Sequence, residues 1–398
     1  MIDALRFGKR ITSQTPANDS IRWSGDKLTF QDMQFTMSQF QSTVQGIVNR
    51  ARDHLSEEVL LLPTPGEKLP PIPWDSMDDD AAEDRQGWFY ACNMRNVWGF
   101  DESAWLWNRI WEDSTLWSAF LEEAHSVSPS EAYTFRRSRV EKWMDAVVRM
   151  KEYLLVLLHL TGGGPARASE LLSIRYRNTE NGGIRNQFID NGFVSFTLPG
   201  GYNANFQTKL VYRFVPREVG ELFVYFQLLA LPFQRRVEIL LYNNIELSGF
   251  IWPEKELNGV TWTSERFKRA LERETQIGMG APVNISLCRR ILTAIARRYL
   301  GELFGFDDRG NESDHSDEDE EDYCDRMVDL QARQSGRVMR PGWSSGDAWS
   351  NGRYEGEFPP CQSAMASMAW FRVRCQSRHE TGAFDNIRGS REKSTPLC

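Results

Sequence analysis

Residues 161–178 read TGGGPARASELLSIRYRN, and the side chain there that can do chemistry is Arg167. Three glycines and a proline separate an apolar stretch, Trp143 to Leu160, from a short segment beginning Ala168-Ser169-Glu170-Leu171-Leu172. Both flanks have helical spacing, so Arg167 stands at a helix start. Glycines at such a junction let the backbone approach a ligand closely. Unsatisfied N–H groups at a helix start favour an anion, and a guanidinium adds a planar, permanently charged fork. The stretch is suited to holding a phosphate. The simpler reading, favoured by shape alone, is a tight interhelical turn whose arginine pairs with Glu170.

Other basic residues fall on elements that could bring them to the same place. Ser264 to Gln276 has helical spacing with Arg266, Lys268, Arg269 and Arg273 on it. Asn284 suits the N-cap of a helix from Ile285 to Leu303 that carries Arg289, Arg290, Arg297 and Arg298. Between these and Arg167 the text turns β-like: Gln187 to Ile189, Phe193 to Leu198 and Leu210 to Val215, punctuated by Gly192, Gly200, Gly201 and Asn203. That predicts a small antiparallel sheet whose hairpin holds Lys209. Glu218 to Leu231 then resumes a very apolar helix. Arg289 and Arg290 fit a surface pair as well as a ligand site, and Lys209 fits an ordinary exposed strand lysine. His159, on the apolar helix before the turn, fits a satisfied core histidine better than a catalyst.

Length and composition set the frame. The 398 residues allow two or three domains, and 41% apolar content with fourteen tryptophans allows a sizeable core. No run of 18 uncharged apolar residues occurs, and MIDALRFGKR lacks a signal peptide's apolar stretch. Six scattered cysteines with no CxxC argue for a reducing compartment and against a zinc ribbon. The net charge of −8 conceals an asymmetry: residues 307–325 hold eleven acidic residues and one basic, leaving 44 acidic and 46 basic elsewhere. A nearly neutral folded part can carry a basic face, so nucleic acid is not excluded as a partner.

The expected fold is mainly α with a small antiparallel β-sheet, an α+β chain. Residues 1–130 are expected to form an N-terminal helical domain, with a helix over Asp32 to Leu55. A linker over 61–75 with five prolines lies inside it, followed by an exposed acidic stretch, Asp75 to Asp84. Six tryptophans between Trp88 and Trp117 read as core rather than as stacking platforms. Pro129-Ser130-Glu131 opens a further helix. Residues 131–306 form the core, 307–325 a disordered acidic insert, and 326–398 an aperiodic tail, either genuine or translated out of frame.

In this order the motifs resemble those of tyrosine recombinases. Thr-Gly before an arginine and a Ser-Glu-Leu helix resembles the family's first motif, with Arg167 at the first catalytic arginine. Arg289, in ISLCRRILTAIA, resembles the second arginine, from His/Lys-x-x-Arg. The ribbon ending Val215-Pro216 resembles the one that carries the catalytic lysine. Leu330 to Ser335 resembles the segment with the last histidine. Residues 160–179, 213–226 and 263–278 are similar to a fungal subgroup, the Crypton-type domains associated with telomere-linked RecQ-type helicases. The subgroup's strings are ITGG-PARG-EILSIRHRNT, RYLPREVGELVVYY and TSERFRR-L-RET-IG.

The resemblance implies DNA strand breakage and rejoining through a 3′-phosphotyrosine. Two arginines clamp the phosphorane, and a lysine protonates the leaving oxygen. It implies neither metal nor other cofactor. Catalytic positions would be Arg167, Lys209, Arg289 and Gln334, with DNA contacts from Arg175, Arg177, Arg266 and Arg290. Partners would be duplex DNA, a RecQ-type helicase or further copies of the chain, in a nucleus. Four departures stand out. Ser286 replaces the histidine or lysine three before Arg289, and Gln334 replaces the last histidine. The ribbon's His-Lys-Gly-Tyr reads Pro199-Gly200-Gly201-Tyr202. No tyrosine lies between Tyr323 and Tyr354, where the nucleophile is expected. The expectation is a DNA-binding relative from a mobile or telomere-associated element with impaired cleavage. The alternative is a non-catalytic adaptor whose acidic run binds a basic partner such as a histone.

Overall fold

The computed structural model describes residues 21–31, 33–63, 69–93, 95–96, 98, 101, 104–123, 133–190, 192–202, 208–244, 248–256 and 258–300. The acidic insert, the tail and Gln334 lie outside them.

Strands β1 (Arg22–Ser24), β2 (Lys27–Phe30) and β3 (Met33–Thr36) form an antiparallel meander. The helix expected from Asp32 starts later, because Phe35 pairs with Leu28 and both are buried, so this alternating stretch serves as a strand. Thr36 then caps helix α1 (Met37–His54). Its hydroxyl accepts from the Gln39 N–H at 3.2 Å, and the Gln39 side chain accepts from the Thr36 N–H at 2.9 Å.

The tryptophan-rich segment yields α2 (Trp105–Glu112) and α3 (Ser114–Phe120). Trp88 and Trp98 are buried as a core requires, whereas Trp111 stays 40% exposed. Strand β4 (Leu121–Glu123) pairs with β5 (Tyr133–Phe135), and the helix expected to open near Glu131 begins only at Arg137. The boundary expected at residue 130 lies outside the described residues, between the paired strands β4 and β5 in sequence. One apolar cluster spans it, from Leu28 and Ile47 to Leu154, Phe223, Leu271 and Ile291.

Helix α4 (Arg137–Thr161) is the axis of that cluster. From Met150 to Thr161 every residue is buried, as for a helix surrounded on all sides. It leads through the glycine turn to α5 (Ala168–Leu172). The sheet β6 (Gln187–Asp190), β7 (Phe193–Tyr202), β8 (Thr208–Phe214) follows, in sequential antiparallel order. Helix α6 (Arg217–Tyr225) passes through a π-helical turn (Phe226–Ala230) into α7 (Leu231–Tyr242). Helices α8 (Ser264–Met279) and α9 (Ile285–Leu300) complete the described chain. Asn284 accepts from the Leu287 N–H at 2.9 Å, the N-cap its sequence suggests. The architecture is α+β and mainly helical, with three small antiparallel sheets among the described residues in place of the single one expected.

Several charges inside the fold are paired. Lys151 Nζ meets Glu256 Oε1 at 2.6 Å, and Glu274, with no exposed side chain, takes Arg50 and Arg149 at 2.8 Å each. Glu152 takes Arg266 at 2.8 Å and Arg273 at 2.7 Å. The acidic stretch is not simply exposed. Asp79 is fully buried against Arg185 at 2.8 Å and accepts from the Ile189 N–H at 3.0 Å, which anchors it to β6. The described ends of the proline-rich segment also meet the core: Leu61 and Leu62 are buried, and the Tyr225 hydroxyl donates to Pro70 O at 2.9 Å. Among the described residues no helix is long and apolar enough to cross a membrane.

Candidate anion-binding site

The last turn of α4 ends where its sequence loses side chains. Gly162 caps it, donating to Leu158 O at 2.9 Å, and Gly163 adopts φ +91°, which L side chains rarely do. Pro165 and Ala166 are buried, and Arg167 emerges exposed as the N-cap residue of α5. Its backbone N–H donates to Glu170 Oε2 at 2.9 Å, so Glu170 closes the α5 N-terminus. The pairing expected between these residues therefore includes a backbone contact.

Strand β8 reaches this turn from the sheet. Val211, Arg213 and Val215 share the inward face by strand alternation, and all three are buried. Arg213 lies opposite Phe196 of β7, which packs edge-on against Phe223 of α6 at 5.1 Å. That packing fixes the strand on the helical layer. Arg213 Nη1 donates to Gly164 O, tying strand to turn. Burial lowers Arg213 from 12.5 to about 10, against the opposing charge of Glu170 and with a smaller contribution from Arg289.

Arg289 comes from α9, beside buried Cys288, and is itself half-buried. His159 sits one turn before Gly162, 2% exposed, edge-on to Phe267 of α8 at 5.1 Å. Neither ring nitrogen has a hydrogen-bond partner among the described residues, so it is a core histidine but not a satisfied one. Burial chiefly, then Arg213 and Arg289, push it down to about 3, so it is neutral at pH 7. Neither Arg213 nor Arg289 has an ion-pair partner among the described residues, and the Nε of each is buried without a hydrogen bond.

Other predicted positions separate. Lys209 lies on β8, next to the irregular register between Pro199 and Tyr202. The Arg175 guanidinium stacks over Phe250 at 4.9 Å, and Arg290 over Phe30 at 5.0 Å. Arg177 lies over Tyr176 at 5.5 Å, and burial lowers it from its ordinary value. Arg266 pairs with Glu152, about two turns of α4 before His159. Sequence reasoning missed Arg213. Its signal was an arginine at the inward register of an otherwise apolar strand, Leu210 to Val215.

The Nε groups of Arg213 and Arg289 and both ring nitrogens of His159 lack hydrogen-bond partners among the described residues, and N–H donors with positive charge suit a tetrahedral oxyanion. Among the described residues no group of His, Cys, Asp and Glu could hold a metal ion. No family model matches this chain, and neither a curated protein nor a solved structure matches it.

Proposed function

We propose that the chain is a DNA-binding protein of tyrosine-recombinase type, in which this cluster holds a backbone phosphate. The observation that carries the proposal is that Arg213 is hydrogen-bonded to the turn that ends in Arg167 while the charge of Arg289, from the far end of the described chain, acts on it. Neither Arg213 nor Arg289 makes a close ion pair among the described residues, and the carboxylate that acts on Arg213 is Glu170, which is not bonded to it. Phosphate is the ligand of matching geometry and charge, and DNA supplies it in a form that releases counterions on binding. The motif order of the sequence adds the class: glycine turn with arginine, ribbon, then a second arginine on a helix. On this reading the chain acts in a nucleus, on duplex DNA and with further copies of itself. Strand cleavage is lost with the nucleophile.

The test is duplex binding as a function of salt. The logarithm of affinity should fall linearly with that of salt concentration, by roughly 0.9 per phosphate neutralised. Arg167→Ala and Arg289→Ala should each weaken binding by about tenfold or more, the scale of a hydrogen bond to a charged group. Binding unchanged in both variants would refute the assignment. Capture of histones that survives both changes, but not deletion of 307–325, would favour the acidic adaptor instead.

A further inference from the structure

We propose that His159 is a third, proton-dependent donor of this site: an oxyanion seated against Arg213 and Arg289 is bound together with a proton taken up by His159. This rests on the phosphate reading above. An imidazole has two polar nitrogens, and buried polar groups normally find partners. Those of His159 have none among the described residues. The ring is not merely filling apolar space, because two guanidinium charges act on it, Arg213 from β8 and Arg289 from α9. From α8 the neighbour is Phe267, which is neutral and fixes the ring plane by its edge-on contact. From α5 the charged neighbour is Glu170, which acts on Arg213. The ring also lies in the last turn of α4, where the helix dipole favours a cation.

The charges of Arg213 and Arg289 thus act on a buried, unbonded imidazole, and of the three groups the histidine is the one that is neutral at pH 7. An oxyanion reverses the balance. It offsets the arginine charges, accepts from an imidazole N–H, and so favours the imidazolium. The proton comes from solvent, and no bond other than N–H forms or breaks. Phosphodiester, free phosphate and sulfate share the chemistry required.

The experiment uses the full chain and two probes, sulfate and a short duplex. Calorimetric titrations run at pH 5 and pH 8, each in two buffers of different ionisation enthalpy. The expected result is close to one proton taken up per sulfate at pH 5 and none at pH 8. Affinity at pH 5 should be higher on the order of tenfold, if the anion raises His159 by about three pH units. His159→Gln should abolish the uptake and flatten the pH dependence for both probes. Arg289→Ala should lose sulfate. Where a variant does not fold, imidazole NMR of the wild-type chain gives the same answer: one histidine should begin to titrate between pH 5 and 7 only when sulfate is present. Duplex and sulfate binding without proton uptake, or uptake that persists in His159→Gln, would overturn the inference and leave the DNA-binding reading standing. Duplex binding without any sulfate binding would also overturn it. Failure to bind duplex at low salt at either pH would remove the reading beneath it.

Discussion

Arg213→Met should cost the protein its DNA binding and little of its stability. In the fold Arg213 stays charged at pH 7, although burial and Arg289 lower it from 12.5 to about 10. At about 1.36 kcal/mol per pH unit, keeping that charge buried costs about 3 kcal/mol. The sign follows from a folded value below the unfolded one: the charge destabilises the fold at every pH below about 10, and the cost fades only above it. Against this stands one charge-assisted hydrogen bond, to Gly164 O, of about 1.5–3 kcal/mol. Methionine has similar volume and no charge, so the two effects nearly cancel. The expected change in urea-unfolding stability is within about 1.5 kcal/mol of zero, in either direction. Duplex affinity at low salt should fall by about tenfold or more. The combination to look for is an unmoved urea midpoint together with lost binding. A destabilisation beyond about 3 kcal/mol, the range for breaking a buried pair, with binding intact would show that Arg213 is an internal strut and that the reasoning is wrong.

Elsewhere the fold makes independent demands. Glu274→Gln removes the charge that Arg50, Arg149 and Arg273 share, the first two at 2.8 Å. With these arginines partly exposed, urea unfolding should show a loss of about 2–3 kcal/mol in a single transition; a loss under about 1 kcal/mol would mean the network is ornamental. Gly278→Ala puts a Cβ 2.3 Å from Thr43 Cγ2, where α1 and α8 meet, and should destabilise by about 1–3 kcal/mol. Thr43→Ala in the same chain should recover only part of that, because the Thr43 Cβ itself would stand 2.8 Å away, and strictly additive effects would contradict the close approach. Finally, a nicked suicide duplex should give no covalent adduct on denaturing electrophoresis. A shifted band that disappears in Tyr354→Phe would show a relocated nucleophile.

Much of the fold was legible because its elements announce themselves by period. The three strands of the 187–215 sheet, the helices over 137–161 and 264–279, and the Asn284 cap follow from alternation, helical spacing and capping chemistry. What was not legible depended on distant partners. Met33–Thr36 has enough apolar residues for a helix, but Leu28 claims Phe35 as a strand partner. Asp79 looks like any residue of an acidic stretch until Arg185, far along the chain, meets it. In the site, Arg167 and Arg289 stood out as helix-borne arginines. Arg213 and His159 looked like a strand residue and a core residue, and only burial without partners distinguishes them.

That distinction can be drawn inside this one molecule. An unpaired Nε is common in it, since Arg185 and Arg235 have one too, and signifies little alone. The arginines that hold the fold together each meet a carboxylate: Arg185 meets Asp79, Arg149 meets Glu274, and Arg235 meets Glu238 at 2.7 Å. Lys151, equally buried, meets Glu256. Among the described residues, the buried cations Lys151 and Arg185 are thus each paired with a carboxylate. At the end of α4 the chain does otherwise: it lets a carbonyl stand in for a carboxylate at Arg213, adds Arg289 beside it, and leaves His159 neutral and unbonded. Local violations of otherwise obeyed rules are expected where a site is kept ready for a ligand. The partner that these groups lack among the described residues would be negative, compact and rich in acceptor oxygens, a description that a phosphate meets.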